Sequence, residues 1–146
     1  MTLTRLLLCA LFLVAVPSLA QEAPAAPEPE PQQVVDRFMD AYNRHDVEAM
    51  LALAHPDIQW LSVDGERISV EASGHEALRD SMTRYFASLP SAGATLEKTM
   101  SAGPYVSVVE RARWKGDKGE RSQAALAVYE IREGKVRRVW YYPVIP

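Results

Sequence analysis

The sequence predicts an α+β domain in which three helices cover one face of a strongly bent antiparallel sheet. Three observations carry this. Apolar residues recur at helical spacing only ahead of Pro90. Everything after Ala92 reads as strand, with glycines at 103, 116, 119 and 134 marking the joins. Those joins are short, so successive strands pair as hairpins, and the helices are left to cover one sheet face.

Val34, Val35, Phe38, Met39 and Tyr42 form one stripe of a first amphipathic helix. Asp46 suits the N-cap of a second, whose apolar face is Val47, Met50, Leu51 and Ala54 and which Pro56 is expected to stop. Ile58 to Val63 reads as a strand, Asp64-Gly65 as a turn and Ile68 to Val70 as a short return strand. Gly74 opens a third helix, in which Leu78, Met82, Tyr85, Phe86 and Leu89 recur at helical spacing. The remaining strands are Thr95 to Ala102, Tyr105 to Trp114, Ser122 to Ile131 and Val136 to Val144.

The amino terminus calls for a separate reading. Arg5 precedes an apolar run from Leu6 to Val16, and small residues follow at Ser18 and Ala20. This is the pattern of a secretory signal peptide over residues 1–20, cleaved after Ala20. The run is too short for a membrane span, which needs about 20 apolar residues. A periplasmic or secreted product is therefore expected, with no membrane association after cleavage. Residues 21–31, with prolines at 24, 27, 29 and 31, read as an extended Pro/Ala/Glu-rich spacer. The rest, residues 32–146, reads as a single domain.

With 16 Lys and Arg against 19 Asp and Glu, the chain is mildly acidic, which argues against a nucleic-acid partner. The single cysteine, Cys9, falls within the signal segment. The processed chain then has no disulfide, cysteine metal site or cysteine nucleophile. His45, His55 and His75 are not at metal-ligand spacing, so neither a metal nor a cofactor is implied.

Local sequence adds a resemblance. AYNRHDVEAMLALAHPDIQWLSVDG resembles the first-helix, capped second-helix and first-strand pattern of the nuclear transport factor 2-like superfamily. SGHEALRD resembles its glycine-led third helix, and VYEIREGKVRRVWYY its last hairpin. The similarity covers essentially the whole domain and is nearest the SnoaL-like and ketosteroid-isomerase-like branch. It implies a cone with an internal pocket open at one end, often in a homodimer formed through the outer sheet face. It does not imply one chemistry, because the family holds isomerases, dehydratases, hydrolases and non-catalytic domains.

Aligned on that pattern, the isomerase's tyrosine, base and aspartate positions hold Phe38, Ser62 and Ala127, which argues against that activity. The same positions mark which strand residues face inward. On that parity Trp60 and Ser62, Val106, Val108, Glu110 and Ala112, Ala125, Ala127 and Tyr129, and Val139 and Tyr141 face the pocket. Glu110 is the one carboxylate among them. It is the candidate acid or base, or else it pairs with Arg111, Arg113 or Arg132. Asp64 is a weaker acid candidate, as Asp-Gly more often makes a turn.

Phe38, Tyr42, His55, Trp60, Ser62, Val108, Ala127, Tyr129 and Tyr141 are the expected pocket residues. His45 and His75 are expected at the surface or at helix ends. Tyr42, Trp60, Tyr129 and Tyr141 can stack on a flat ligand or pack in the core, and core packing is the expectation for at least two. Val109, Arg111, Arg113, Trp140 and Tyr142 share the outer face, a composition suited to a homodimer interface. The basic run Lys135 to Arg138 reads as a solvated hairpin. Two readings follow: an exported binder of a small apolar or aromatic molecule, or an acid/base enzyme working through Glu110.

Overall fold

In the computed structural model, which describes residues 28–145, Pro31 opens α1 (Pro31–Asn43). Proline suits this first position because its missing N–H would have no helical partner. Val34, Val35, Phe38, Met39, Ala41 and Tyr42 bury one face of the helix. The segment expected to be a signal peptide, 1–20, and most of the expected spacer lie outside the described residues.

His45 turns the chain with a φ of 55°, and Asp46 then caps α2 (Val47–Leu53) by accepting from the Ala49 N–H at 3.0 Å. The helix ends earlier than Pro56 would require. His55, which precedes the proline, is pushed toward extended backbone, so β1 (Ala54–Asp64) begins directly after Leu53. Pro56 is tolerated there because the β1 ladder to its neighbour is irregular between Ala54 and Gln59.

β1 turns at Gly65 (φ 58°) into β2 (Arg67–Ser73), and α3 (Gly74–Ser88) follows without a loop. β3 (Gly93–Ala102), β4 (Tyr105–Gly116), β5 (Gly119–Arg132) and β6 (Lys135–Ile145) complete the chain. The last hairpin turns on Glu133 and Gly134, both at positive φ, the requirement of a type I′ turn.

The six strands are ordered β2-β1-β6-β5-β4-β3 in one open sheet. Each neighbouring pair is antiparallel except β1 and β6, which run parallel and make the sheet mixed. Hairpin logic reaches only strands adjacent in sequence, and β1 and β6 are separated by α3 and the whole meander. Register shifts at Trp60/Leu61, Glu97/Met100, Ala125/Ala127 and Glu130/Ile131 bend the strands. The result is a curved sheet whose concave face the helices cover, the α+β cone the sequence predicts.

α1 packs across β3 to β6, and α3 packs on β1 and β2. Asn43 fastens the end of α1 to the sheet edge. Its side-chain amide donates to the Ala94 carbonyl at 2.9 Å and accepts from the Ala94 N–H at 2.7 Å, as a strand backbone would. Beneath the helices Phe38, Met50, Ile58, Leu78, Val106 and Val108 form the core of the layer.

Candidate functional site

Between the helices and the concave face lies a cavity of about 240 Å³. β4 supplies Glu110 and Ala112, β5 supplies Gln123 and Ala125, and β6 supplies Tyr141. Trp60 comes from β1, Tyr42 from α1, and Met82 and Tyr85 from α3. These residues meet because the β4–β5 register is unbroken, which sets Glu110 opposite Ala125 and Ala112 opposite Gln123. Alanines flanking a carboxylate leave open space where larger side chains would pack.

Glu110 is only 7% exposed. Tyr129 Oη donates to its Oε2 at 2.9 Å, and Tyr141 Oη donates to the same oxygen. Its other oxygen, Oε1, has no hydrogen-bond partner among the described residues. No fully buried side-chain oxygen or nitrogen among the described residues lacks a partner, so Oε1 is the oxygen that opens toward the cavity. Burial pushes the Glu110 carboxyl above its ordinary range, and the two phenol bonds oppose that rise without cancelling it. Because Oε2 already accepts from two phenols, the proton of the neutral acid belongs on Oε1.

Burial also raises Tyr129 and Tyr141 well above the usual phenol value, and the nearby Glu110 adds to the effect, so both remain donors at neutral pH. Tyr42 is raised by burial and by its bond to Tyr85, whose oxygen lies 2.9 Å away. The rings are ordered as well. Trp60 stacks on Tyr141 with centroids 5.2 Å apart and planes 18° from parallel. Tyr42 and Tyr85 lie 6.1 Å apart.

Of the residues expected at the pocket from sequence, Glu110, Tyr42, Trp60 and Tyr141 line this cavity. Tyr129 is fully buried behind it and reaches it only through its hydroxyl on Glu110. Phe38, Val108 and Ala127 are fully buried core residues beneath the cavity. Ser62 pairs with Tyr141 across the sheet but is not part of the lining.

His55 lies elsewhere. As a β1 residue rather than a helix end, it sits beside Arg132, Glu133 and Arg137 in a separate surface cleft. His45 stacks on Phe86 at 4.2 Å and contacts the Ala92 carbonyl at 2.7 Å, while His75 contacts the Ala54 carbonyl at 3.1 Å. Asp64 is exposed at the hairpin end.

The arginines offered as partners for Glu110 are engaged elsewhere. Arg111 pairs with Glu97 at 2.8 Å, Arg113 with Thr95 at 3.2 Å and Arg132 with Glu130 at 3.0 Å. The basic run of the last hairpin is not simply solvated, because Glu130, 2% exposed, also draws in Arg137 at 3.8 Å and Arg138 at 3.2 Å. Tyr85, Met82 and Gln123 are cavity residues that the sequence reading missed. Gln123 could have been found by extending the Ala125-Ala127 parity one step. Tyr85 and Met82 belong to the α3 stripe read from the sequence, but helical spacing carries no signal that separates a cavity residue from a packed one.

Residues 35–139 match a family model described as a SnoaL-like domain. No curated protein matches the chain. Solved structures share the fold at low identity. A cystatin-fold protein from Novosphingobium aromaticivorans is 22% identical, with a TM-score of 0.68 over 77% of this chain and 97% of its own. An NTF2-like protein from Burkholderia pseudomallei is 18% identical, with a TM-score of 0.62 over 76% of this chain and 88% of its own. A putative hydroxylase from Streptomyces galilaeus is 14% identical, with a TM-score of 0.64 over 79% of this chain and 88% of its own. At these identities the likeness extends to the NTF2-like fold alone.

Proposed function

The chain belongs to the SnoaL-like domain family, and within it we propose that this protein is an exported binder of one small molecule with an apolar or aromatic body. The observation that carries the reading is the open Oε1 of Glu110 at an aromatic-walled cavity of about 240 Å³. That volume lies a little under the roughly 300 Å³ lower end for drug-sized ligands, so the occupant is small. A mostly apolar wall with a few convergent polar groups is the usual make-up of such a site. Export rests on the signal pattern of residues 1–20. The intact mass of protein recovered from the producing cell's exterior or periplasm tests it, since cleavage after Ala20 fixes the expected mass.

The test of binding is a thermal-shift screen of small aromatic and apolar compounds on the purified protein, with Glu110→Gln alongside. A ligand at a hundredfold excess over its Kd stabilises the native state by about 2.7 kcal/mol. A shift in the wild type that Glu110→Gln weakens supports the reading. No shift with any compound overturns it.

The open Oε1 also favours a second reading, in which neutral Glu110 acts as a general acid on a bound substrate. Its mark would be turnover of a stabilising compound by the wild type and bound but unconverted compound in Glu110→Gln.

The outer sheet face supports a homodimer. Val70, Leu61, Trp140 and Val128 form one row of cross-strand partners across it. Leu126 and Tyr142 beside that row are 37% and 39% exposed. Aromatic and aliphatic residues interleaved with an Arg111–Glu97 pair suit a protein interface more than bare solvent.

A further inference from the structure

We infer that the cavity takes a cation, a small organic ammonium ion whose charged head sits between the ring faces and Oε1 of Glu110. This rests on the reading of the cavity as a binding site and narrows the class of ligand. The charge inventory of the wall carries it. Trp60, Tyr141, Tyr42 and Tyr85 contribute four aromatic rings from four different elements, and Met82 adds a polarisable sulfur. Among the described residues Glu110 contributes the wall's one carboxyl, and no lysine, arginine or histidine lines the cavity.

Aromatic faces carry negative potential, and a cation over them within about 6 Å is attracted, by as much as about 2 kcal/mol when desolvated. An anion finds the Gln123 amide and the Oε1 proton as donors, but among the described residues the wall holds no positive charge to offset its desolvation. A neutral ligand is tolerated but makes no use of the carboxyl beyond one hydrogen bond.

The tyrosines behind Glu110 point the same way. Two phenols donating to one carboxyl oxygen serve the ionised acid, since a carboxylate accepts both bonds more strongly than a neutral carboxyl does. The titratable groups that face Glu110 are Tyr129 from β5, Tyr141 from β6 and Tyr42 from α1, with Tyr85 of α3 behind Tyr42. None of them supplies a positive charge, so without a cation nearby desolvation raises the pH at which Glu110 gives up its proton. An arriving ammonium head provides the missing charge. The proton on Oε1 leaves for solvent, and the carboxylate, held on Oε2 by Tyr129 and Tyr141, pairs with the cation. Binding therefore releases up to one proton per ligand, at pH values between the titration of the cation-bound site and the raised titration of the free site.

The experiment is calorimetric titration of the purified protein with two probes of matched shape. One is choline, and the other is its uncharged carbon isostere, in which a tert-butyl group replaces the trimethylammonium. Benzyltrimethylammonium and the neutral aromatic screen run beside them. The expected result is that the ammonium probes bind about tenfold or more tighter than the isostere. Titrations in buffers of different ionisation heat should show proton release, and affinity should improve as pH rises toward neutrality. Glu110→Gln should cut the preference to what the rings alone supply and erase the proton release.

If the isostere or the neutral aromatics bind as well as the ammonium probes, the cation assignment is overturned while the binding cavity stands. If ammonium probes are preferred equally by wild type and Glu110→Gln, the role given to Oε1 is overturned. If neither class binds, the cavity reading fails and this inference with it. The wild-type probe pair decides the charge question even where the variant is poorly folded.

Discussion

Replacing Glu110 by glutamine should make the protein more stable at neutral and alkaline pH and should flatten part of its pH–stability profile. In the unfolded chain a glutamate titrates near 4.3, whereas in the native state burial holds Glu110 above that range. Between the two values the folded protein binds more protons than the unfolded one. Its stability is therefore complete below the ordinary carboxyl range and is lost as pH rises through the raised value. The loss proceeds at no more than about 1.4 kcal/mol per pH unit for a single proton and then levels off.

Glutamine keeps a carbonyl oxygen to accept from Tyr129 and Tyr141 and puts an uncharged amide toward the cavity. It therefore carries the hydrogen bonds without the titration. Near pH 4 the two proteins should differ by about 1 kcal/mol or less, the scale of one altered hydrogen bond. The variant should then gain steadily as pH rises. Each kcal/mol corresponds to roughly 3 to 6 °C in Tm for a domain of this size.

Urea unfolding of both proteins from about pH 4 to pH 8 measures this. Glu48 and Glu97, held low by Arg79 and Arg111, titrate alike in both proteins and drop out of the difference. A gap that does not change with pH, or a variant less stable than wild type at pH 8, would falsify the account of Glu110 as a buried neutral acid.

Other substitutions probe neighbouring parts of the fold. Tyr129→Phe removes a fully buried hydroxyl that favours ionised Glu110, so it should cost about 1 to 2 kcal/mol. It should also move the pH-dependent loss of stability upward, which the same urea series reads. Asp46→Ala removes the cap on Ala49 and should cost about 1 kcal/mol in thermal unfolding, with Asp46→Asn close to wild type. Asn43→Ala breaks both bonds to Ala94 and should cost about 1 to 3 kcal/mol. Exchange of the Ala94 amide should then quicken before that of the β4–β5 hairpin. Sedimentation equilibrium should find a dimer that Leu126→Glu converts to a folded monomer, and a monomeric wild type at micromolar concentration would count against the sheet-face interface.

The strands were easier to read in sequence than the cavity was. From Tyr105↔Glu130 to Gly116↔Gly119 the β4–β5 register runs without a bulge. Period-two alternation therefore holds over its whole length, and Glu110, Ala125 and Tyr129 lie on the face that parity assigns. The same rule places Arg111 and Arg113, of opposite parity to Glu110, on the far side of the sheet. Adjacency in sequence had made them seem natural partners.

Parity assigns a face but not the burial on it. Glu130 lies on the outer face that alternation gives it, paired across the sheet with Tyr105 and Arg138, yet three arginines bury it there. His55 lay at a helix–strand boundary that a proline sets only to within a residue or two. Tyr85 was legible as part of an apolar stripe. Whether a stripe residue packs or borders a void depends on what the sheet places opposite it, which helical periodicity does not encode.

What the sheet places opposite Tyr85 and Trp60 is largely alanine, and that makes the cavity testable without touching Glu110. Ala125 and Ala127 are two residues apart on the same face of β5, yet their surroundings differ. Ala127 is fully buried between Val108 and Tyr141, its cross-strand partners, whereas Ala125 is half-buried and lines the cavity opposite Glu110. A larger side chain at 127 must displace packed neighbours, so Ala127→Leu should cost about 1 to 3 kcal/mol. At 125 the added carbons enter empty space. Ala125→Leu should leave stability within about 1 kcal/mol of wild type, or raise it, as cavity-filling changes commonly do. It should nonetheless abolish the thermal shift given by any ligand that stabilises the wild type. Equal destabilisation by both substitutions would mean the space beside Glu110 is not open in solution, whereas unimpaired ligand binding in Ala125→Leu would put the ligand somewhere else on the molecule.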